Sequence, residues 1–457
     1  MKGEYEMREF KNETLEKLTF NMPNNMKEIR LFDSFAGIGA LHNSLQFLGI
    51  PTKIIGLSET DVDAIISYAS IHISNFKDLD FEYPSEEEMR EWLINRNIGW
   101  DFQKQKSCIP RLKKDKLCKV YKASVLLDNY GDISQIEYNK LPDFDLFNLS
   151  FCCQDISNSG KQKGFKNEDG TSTRSGLVKY GIKLIKTKRP KYIMIENVKA
   201  LIQKKFINDF YDICNEIESY GYKIYYPTKE DKKGNKQPMC LNSKNYAIPQ
   251  NRERIFVICV RNDCDDNIEQ FWEGKDFGYR LKDFLEDEVD EKYYLSQEIQ
   301  ERFKLSGSED IEHNELNTVG SSAPVVEKKS FIDKKNRLQD FQRKENYIQW
   351  DTSGKGYNSQ NDRTFYENKN IGTISSNGAD NKTNVIQGLD TKDFRIRKLT
   401  PKECWRLMGF TDEQFDKAKE SGISDSQLYK QAGNSIVVNC LYYIFKELFK
   451  NYMVEDK

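Results

Sequence analysis

Five short apolar segments, each separated from the next by helix-like sequence, most constrain how this chain can fold. In one-letter code they are EIRLFDSF, TKIIGLSE, FDLFNLSF, KYIMIENV and RIFVICVR, and all five lie before residue 262. Strands that alternate with helices predict an α/β fold with a doubly wound, mostly parallel sheet. Ligands of such sheets bind at the carboxyl ends of the strands. Functional residues are therefore expected where these segments end.

The composition predicts three parts. Residues 1–261 form the α/β domain, although residues 75–130 interrupt its rhythm with charge-rich sequence. That stretch is either a solvated insertion or a surface whose lysines contact phosphates. From about residue 262 the alternation stops, and residues 305–390 are rich in Asn, Ser, Gly, Asp and Lys, so residues 262–395 are expected to form a second, smaller, loop-rich domain with room for short strands. Residues 396–457 return to regular helices, the first of them capped by Thr400 with Pro401 behind it.

Charge and cysteine usage exclude some classes of protein. The 457 residues carry a formal net charge of -2, so a nucleic-acid partner would require positive charge concentrated on one surface. The first residues lack the apolar core of a signal peptide, and no apolar run approaches the length of a membrane span. We therefore expect a cytoplasmic protein. Because there are 3 histidines and no Cys-X-X-Cys pair among the 10 cysteines, no metal site is expected.

A glycine-rich turn follows the first apolar segment, in the sequence DSFAGIG. Such a turn lets a nucleotide-like ligand approach the backbone. Glu59 ends the second segment, where an acid can accept both ribose hydroxyls of an adenosine. Asp132, in the sequence GDIS, is placed to accept an adenine amino group if it too ends a strand. Each acid alone could be a helix cap or a solvated loop residue, but the ordered set predicts an adenosine-containing cofactor.

Two adjacent cysteines, Cys152 and Cys153, follow the third apolar segment in the sequence SFCCQDIS. A buried packing cysteine, a disulfide and half of a metal site are the alternatives to a nucleophile. The strand end and the polar residues after it argue against burial of both sulfurs. Glu196 ends the fourth segment, where partial desolvation would raise its pKa and let it donate a proton near neutral pH. A salt-bridged structural acid is the alternative interpretation of Glu196.

Gln250, Arg252 and Arg254 alternate at the start of the fifth apolar segment, in the sequence PQNRERIF. A period of two places three side chains on one face of a strand. A row of such donors suits an anionic or carbonyl-rich ligand. A surface face of salt bridges is the alternative.

In this order, these segments resemble the DNA (cytosine-5) methyltransferases of bacterial restriction-modification systems. The similar stretches are FAGIG, GDISQI, SFCCQDISNSGKQKGF, IENVK, QNRER, RKLTPKECWRLMGF and YKQAGNSIVVN. The resemblance implies a class I S-adenosyl-methionine-dependent methyltransferase fold, which is Rossmann-like. It also implies a target-recognition domain at 262–395 and a C-terminal segment, 396–457, that returns to the catalytic domain.

The resemblance further implies the substrates and the site residues. The cofactor would be S-adenosyl-methionine, leaving as S-adenosyl-homocysteine, and the substrate a cytosine flipped out of double-stranded DNA. A thiolate would attack carbon 6 so that carbon 5 can accept the methyl group. Glu196 would hold N3 and the exocyclic amine, and Arg254 would hold O2, with Arg252 and Gln250 in support. By position, the cofactor pocket would be lined by Phe35, Ala36, Gly37, Gly39, Glu59, Thr60, Asp132, Ile133, Asn434 and Ser435, and DNA would be contacted by Gln154, Ser157, Gln250 and Thr373.

The choice between the two sulfurs depends on the register of the loop. The usual family loop reads Phe-Pro-Cys-Gln, whereas this chain reads Phe-Cys-Cys-Gln at residues 151–154. Gln154 and the downstream SGKQKGF therefore identify Cys153 as the nucleophile and place Cys152 where the family has proline. Proline fixes φ and has no N–H, so we expect a somewhat looser but competent loop.

Three rival functions share part of this pattern. A degenerate relative could bind DNA without modifying it, an RNA cytosine methyltransferase could share the fold, and a small-molecule methyltransferase would share only the glycine turn. Intact Cys153, Glu196, Arg252 and Arg254 argue against the first rival. The length of the second domain argues against the second. We expect a monomeric, nucleoid-associated cytoplasmic enzyme. A cognate restriction endonuclease, if one exists, would form no stable complex with it.

Overall fold

The structure is a computed structural model. It describes residues 27–101, 104–151, 155–156, 164–165, 173, 175–264, 268, 274–295, 369–374 and 395–450. It also describes the backbone of five strands between residues 328 and 387. Cys153, Gln154 and Ser157, three of the predicted site residues, lie outside the described residues, as does Cys152.

The predicted alternation of strands and helices is present. In chain order the strands are β1 (Ile29–Ser34), β2 (Thr52–Ser58), β3 (Trp100–Asp101), β4 (Lys106–Ser107), β5 (Leu146–Leu149), β6 (Tyr192–Val198), β7 (Tyr222–Tyr225), β8 (Thr228–Glu230), β9 (Lys236–Pro238), β10 (Leu241–Asn242), β11 (Gln250–Asn251), β12 (Glu253–Arg261), β13 (Lys328–Ile332), β14 (Leu338–Arg343), β15 (Tyr347–Trp350), β16 (Arg363–Tyr366), β17 (Ile371–Gly372), β18 (Asn384–Gln387) and β19 (Arg395–Lys398). The α-helices are α1 (Ala40–Phe47), α2 (Val62–His72), α3 (Glu86–Ile94), α4 (Lys114–Leu126), α5 (Val178–Lys188), α6 (Ile207–Ser219), α7 (Pro401–Arg406), α8 (Asp412–Glu420), α9 (Asp425–Asn434) and α10 (Val438–Phe449). Within the described residues, no helix combines the length and apolar character needed to cross a bilayer.

The central sheet has the strand order β10-β12-β6-β5-β1-β2, and β7 also pairs with β12. Strands β2, β1, β5 and β6 run parallel to one another. Along β5, Leu146 belongs to one apolar cluster and Phe147 to another, because successive side chains point to opposite faces of the sheet. Both faces are therefore covered, which explains why these strands are apolar throughout. The predicted mostly parallel α/β sheet is confirmed.

Strand β12 runs against its neighbours. It is antiparallel to β6, β7 and β10. The sequence predicted this strand but not its direction. Because it is reversed, its first residues lie at the carboxyl end of β6, and Arg254 is opposite Val198.

The C-terminal helices pack on the first two helices, α10 on α1 and α8 on α2. The carboxamides of Asn43 in α1 and Gln414 in α8 exchange two hydrogen bonds of 3.2 and 2.6 Å. Helix α7 begins with the predicted cap, since the Thr400 hydroxyl and the Glu403 carboxylate each accept from the other residue's N–H. Arg397 pairs with Glu403 at 2.6 Å with both side chains fully buried, which ties β19 to the start of α7.

The charge-rich segment 75–130 is not simply a solvated insertion. Helix α3 packs on α4, and α4 packs on α2. Met89 and Leu93 in α3, and Leu117 and Val120 in α4, are buried in the core around the main sheet. The expectation of a solvated segment is wrong for these inward faces, because apolar residues at helical spacing are interleaved with the charges.

A second sheet, of order β13-β14-β15-β16-β18-β19, occupies residues 328–398. Its pairings are antiparallel except that of β16 with β18. Strand β19 extends this sheet across the predicted boundary at residue 395. Strand β17 instead pairs with β11, and its Ile371 is buried in the core around the main sheet. Short strands are thus present in the predicted loop-rich region, while its role in target recognition stays a prediction.

Candidate active site

An ion pair between Glu196 and Arg254 lies at the carboxyl edge of the central sheet. Glu196 is in β6, and the reversed direction of β12 brings Arg254 beside it. The Nε of Arg254 is 3.1 Å from Oε1 of Glu196, and the two side chains are 17% and 12% exposed. The structure therefore brings together two residues that the sequence assigned to one site.

Burial raises the pKa of Glu196 above its usual value, while the positive charges of Arg254 and then Arg252 act in the opposite direction. The net direction is upward. A carboxyl group in this state keeps its proton nearer to neutral pH than a free glutamate does, so it can donate a hydrogen bond to a ring nitrogen. Glu196 thus matches both interpretations of its sequence position, the desolvated acid and the salt-bridged one.

The carbonyl of Phe151 is the last described group before the two cysteines. It accepts a 3.0 Å hydrogen bond from Nδ2 of Asn197, the residue next to Glu196. The loop that contains Cys153 and Gln154 therefore departs from a point anchored beside Glu196. The two loop residues themselves lie outside the described residues.

Gln250 and Arg252 lie inside the protein, with exposed fractions of 0% and 3%. Their side chains donate to backbone carbonyl groups of the C-terminal segment, at 2.8, 3.0 and 2.7 Å from Leu407, Gly433 and Ser435. The strand is interrupted at Arg252, between β11 and β12, so the prediction of a row of donors on the face of one continuous strand is wrong. Of the three, Arg254 is the residue paired with Glu196, and a supporting role for the other two stays a prediction.

Thr373 lies on a short segment attached at the same place. Strand β17 pairs in parallel with β11, and Oγ1 of Thr373 donates to the carbonyl of Asn251 at 2.8 Å. The N–H of Ile374 donates to Oε1 of Gln250 at 3.1 Å. Thr373 is therefore at the point where the second part of the chain meets the first, and its contact with DNA stays a prediction.

The glycine turn after β1 uses backbone conformations that favour glycine. Gly37 and Gly39 have φ values of 56° and 81°, and Phe35 has a φ of 53°. The carbonyl of Ala36 accepts from the N–H of Gly39 at 2.9 Å and closes the turn. A side chain at Gly39 would overlap the His72 ring, whereas nothing lies within 4 Å of the Cβ position at Gly37. Gly37 therefore leaves open space in which a ligand can approach the backbone.

Glu59 follows β2 and holds this turn. Its Oε2 accepts from the N–H of Gly37 at 2.8 Å, and its Oε1 accepts from those of Thr60 and Asp61 at 2.7 and 2.8 Å. Burial and the nearby Asp61 raise the pKa of Glu59, and these backbone hydrogen bonds lower it by less. A carboxylate has about four acceptor sites, so one remains on Oε2. Accepting both ribose hydroxyls, as predicted, would require one of these bonds to change.

Asp132 does not end a strand. It caps the 3-10 turn Ile133–Gln135 by accepting from a backbone N–H of that turn at 2.9 Å, and its Oδ2 accepts from Nδ2 of Asn97 at 3.1 Å. Asn129 forms an isolated parallel bridge with Leu57 of β2. This bridge brings Asp132 to the carboxyl edge of the sheet without the strand that the sequence suggested.

The end of α9 lies beside the start of α2. The Nζ of Lys430 is 2.5 Å from Oδ2 of Asp61, the N-cap of α2. Asn434, the last residue of α9, is exposed, and Ser435 is buried. The structure thus places α9, which ends at Asn434, against α2, the helix that follows Glu59.

Sequence reasoning missed two buried asparagines that support the site. Asn129 exchanges hydrogen bonds of 3.2 and 3.1 Å with the backbone of Glu59. Asn148 donates to Oδ1 of Asp33 at 2.6 Å and accepts from the Ser150 hydroxyl at 2.8 Å. An asparagine in or beside an apolar strand was the available signal, because a buried amide is costly unless it is hydrogen-bonded.

The order of these residues matches a known protein family. A profile of the family described as C-5 cytosine-specific DNA methylase matches residues 95–450. This chain belongs to that family. The type II methyltransferase M2.ScrFI of Lactococcus lactis subsp. cremoris is 34% identical to this methylase over 93% of this chain and 99% of its own length. The orphan methyltransferase M.SPRI of Bacillus phage SPR is 29% identical over 94% of this chain and 100% of its own length.

A solved structure supports the fold of this C-5 cytosine-specific DNA methylase. The S. pombe Dnmt2 methyltransferase matches it with a TM-score of 0.52 at 15% identity, over 92% of this chain and 98% of the other. At that identity the likeness concerns the fold alone. The prediction of a DNA (cytosine-5-)-methyltransferase is thus confirmed through the family.

The described cysteines of this methylase are free thiols, and Cys214, Cys259, Cys404 and Cys440 are buried. Small apolar residues of this kind pack well in a core. In the part of the chain that the structure describes, no group of three or more His, Cys, Asp or Glu side chains is arranged to hold a metal ion.

Proposed function

We propose that this C-5 cytosine-specific DNA methylase transfers the methyl group of S-adenosyl-methionine to carbon 5 of a cytosine in a specific sequence of duplex DNA. The cytosine would be flipped out of the helix and bound covalently to Cys153 through carbon 6 during the reaction. The observation that carries this proposal is the Glu196–Arg254 pair beside the anchored end of the cysteine loop.

The ion pair suits the charge that a cytosine ring acquires. Addition of a thiolate to carbon 6 places negative charge on N3 and O2 of the ring. Glu196, whose raised pKa favours the protonated form, would donate to N3. In Arg254, Nε faces Glu196 and Nη1 donates to the carbonyl of Glu253 at 2.9 Å. Among the described residues this leaves Nη2 to donate to O2.

Cys153 would supply the thiolate because a thiolate is a strong nucleophile and a good leaving group. Its addition gives carbon 5 the nucleophilic character that a free cytosine lacks. S-adenosyl-methionine supplies an electrophilic methyl group on a sulfonium. Loss of the carbon 5 proton then expels the thiolate and restores the ring.

The glycine turn after β1, together with Glu59 and Asp132, fits an adenosine-bearing ligand. Gly37 leaves open space beside the backbone, Glu59 keeps one acceptor site, and Asp132 presents a buried carboxylate at the same edge of the sheet. The remaining residues of the proposed pocket are Phe35, Ala36, Gly39, Thr60, Ile133, Asn434 and Ser435.

The hairpin of β8 and β9 has a net positive charge, because it carries four lysines against two acids, Glu230 and Asp231. Its exposed lysines are Lys229, Lys232, Lys233 and Lys236. None of the four is in an ion pair with a described residue. The hairpin is inserted between β7 and β10, and Leu241 of β10 lies opposite Arg254. We infer that these lysines contact phosphates near the flipped base, with Gln154, Ser157 and Thr373 as further DNA contacts.

Transfer of labelled methyl groups tests the proposal. Duplex DNA should accept label from S-adenosyl-methionine, whereas tRNA should not. Label in tRNA alone would indicate the RNA-modifying alternative, and label in neither acceptor would indicate a relative that binds without catalysis. Bisulfite sequencing of DNA from cells that express the chain identifies the methylated cytosine.

A trapping experiment then tests the covalent step. The target duplex is synthesised with 5-fluorocytosine at the methylated position. With S-adenosyl-methionine present, the methyl group is transferred to carbon 5. Because fluorine cannot then leave carbon 5 as the proton does, the protein should remain attached through Cys153 and shift on a denaturing gel. A Cys153→Ser variant should give no shifted band.

A further inference from the structure

The turn that follows α3, residues 95–99, contacts two loops of the proposed cofactor pocket. The N–H of Gly99 donates to the carbonyl of Thr60 at 2.8 Å. The N–H of Asp132 donates to the carbonyl of Arg96 at 2.9 Å. This turn belongs to the charge-rich segment 75–130, for which the sequence suggests no role beyond phosphate contact. Its contacts lie instead on the cofactor side of the molecule.

Gly131 fits against this turn in a way that requires glycine. Its φ is +71°, and a Cβ atom there would lie 2.0 Å from the carbonyl oxygen of Arg96. Because the obstacle is backbone, a side chain could not be accommodated by a change of rotamer. The loop that carries Asp132 and the turn after α3 are therefore closely complementary surfaces.

Asn97 occupies the left-handed position at the end of α3, with a φ of 52°. The N–H groups of Ile98 and Asn97 donate to the carbonyls of Leu93 and Ile94 at 3.0 and 2.9 Å, the hydrogen-bond pattern of a Schellman motif. Glycine is the least strained residue at this position. The asparagine side chain offers a reason for the exception, because its Nδ2 donates to Oδ2 of Asp132 at 3.1 Å.

We propose that Asn97 is a positioning residue for the cofactor, which fixes the Asp132 carboxylate so that it can accept the adenine amino group. The inference rests on the proposed function, since it presumes an adenosine pocket at this edge. The N–H of Ser134 holds Oδ1 of Asp132, and Asn97 holds Oδ2, so both oxygens are oriented. About two acceptor sites remain on the carboxylate. Asn97 acts through Asp132 and does not contact the cofactor itself.

The experiment uses Asn97→Gly in the full chain. Glycine keeps the left-handed backbone at lower strain, so the midpoint of thermal unfolding should be unchanged or higher. Isothermal titration calorimetry with S-adenosyl-homocysteine should show about tenfold weaker binding, the usual effect of removing a hydrogen bond to a charged group. Asn97→Asp, which places a second carboxylate against Asp132, should bind at least as weakly.

A second ligand separates positioning from general packing. S-inosyl-homocysteine carries a carbonyl where adenine has its amino group, so the wild-type protein should bind it more weakly than S-adenosyl-homocysteine. In Asn97→Gly the ratio of the two affinities should fall, because the acceptor of the amino group is no longer oriented. Asn75→Gly is the matched control, since Asn75 is also left-handed, with a φ of 53°, but is exposed. It should change neither affinity nor the ratio.

The outcomes distinguish the two proposals. If the wild-type protein binds neither ligand, the proposed function itself fails. If it binds S-adenosyl-homocysteine but does not discriminate against the inosyl compound, the role of Asp132 and of Asn97 is overturned. An Asn97→Gly variant with wild-type affinity and an unchanged ratio also overturns the inference, and leaves the proposed function standing.

Discussion

Glu196 shows, at the scale of one residue, how two apparently exclusive interpretations of a sequence can both hold. Burial at the end of β6 raises its pKa, and the neighbouring Arg254 limits that rise. A carboxyl group between these opposing effects keeps its proton to a higher pH than a free glutamate does. That proton is what a reaction requires when negative charge appears on a bound ring.

The paired cysteines provide a direct test of the proposed nucleophile. Cys153→Ser should lower methyl transfer by at least about a thousandfold, because a hydroxyl does not provide the thiolate. Cys152→Ala and Cys152→Pro should keep most of the activity. The measurement is the transfer of labelled methyl groups to duplex DNA, with S-adenosyl-homocysteine binding as the control for folding. Loss of activity in the Cys152 variants alone would reverse the assignment.

Asp33, at the end of β1, should make stability depend on pH. Burial raises its pKa to about 7 from 3.8, with a hydrogen bond from Asn148 lowering it and Glu59 raising it. Because the folded-state pKa is the higher one, stability is fully present below about pH 4 and is lost as pH rises towards 7. Asp33→Asn removes this loss, which corresponds to a few kcal/mol, on the order of 1.4 kcal/mol per pKa unit.

Urea unfolding of both proteins between pH 5 and pH 8 measures the effect. The stability advantage of Asp33→Asn over the wild type should grow across this range and level off above pH 7. A difference that stays constant with pH would contradict the raised pKa.

Among the secondary-structure elements, the reversed strand β12 decides where the chemistry can occur. A parallel β12 would place Arg254 at the amino end of the sheet, far from Glu196. The reversal also places β10 and the β8–β9 hairpin at the carboxyl edge, because both β7 and β10 pair with β12. One strand direction therefore positions both the ion pair and the basic hairpin.

The basic hairpin should contribute to DNA affinity without affecting the cofactor. Lys232→Gln with Lys233→Gln should weaken binding to a duplex and lower the salt dependence of log K by about one to two units, because each phosphate contact releases counterions. The matched control is Lys27→Gln with Lys53→Gln, two exposed lysines at the amino edge of the sheet. Fluorescence anisotropy at several salt concentrations measures the slope. If log K depends equally on salt concentration in both double variants, the hairpin does not contact DNA.

Across the whole molecule, the C-terminal segment packs on the first two helices. The buried side chain of Arg252 donates hydrogen bonds to this segment. The guanidinium group donates to the carbonyls of Ile374, Gly433 and Ser435. It thereby joins the residue just before β12 to the segment after β17 and to the C-terminal end of α9. A residue that the sequence placed among the ligand-binding donors thus connects three distant parts of the chain.

Arg252→Ala should therefore act mainly on stability. It would leave three buried carbonyl groups without their donor, at a cost on the order of 3 kcal/mol or more. Arg280→Ala is the control, because Arg280 forms a surface ion pair with Asp276 and its loss should cost about 1 kcal/mol or less. Chemical denaturation measures both. If Arg252→Ala has wild-type stability but no activity, Arg252 acts in catalysis and not mainly in stability.

Elements with strong local signals could be predicted from the sequence. Strands β1, β2, β5, β6 and β12 follow from apolar runs, the start of α7 follows from the Thr400 capping box, and the glycine turn follows from its own residues. The direction of β12, the burial of Arg252 and the contact between Asn97 and Asp132 became visible only in the folded protein. These features depend on groups such as Arg252 and Ser435, which lie far apart in the chain. Their free energy comes from desolvation and hydrogen bonding in the assembled core, which no local pattern of residues encodes.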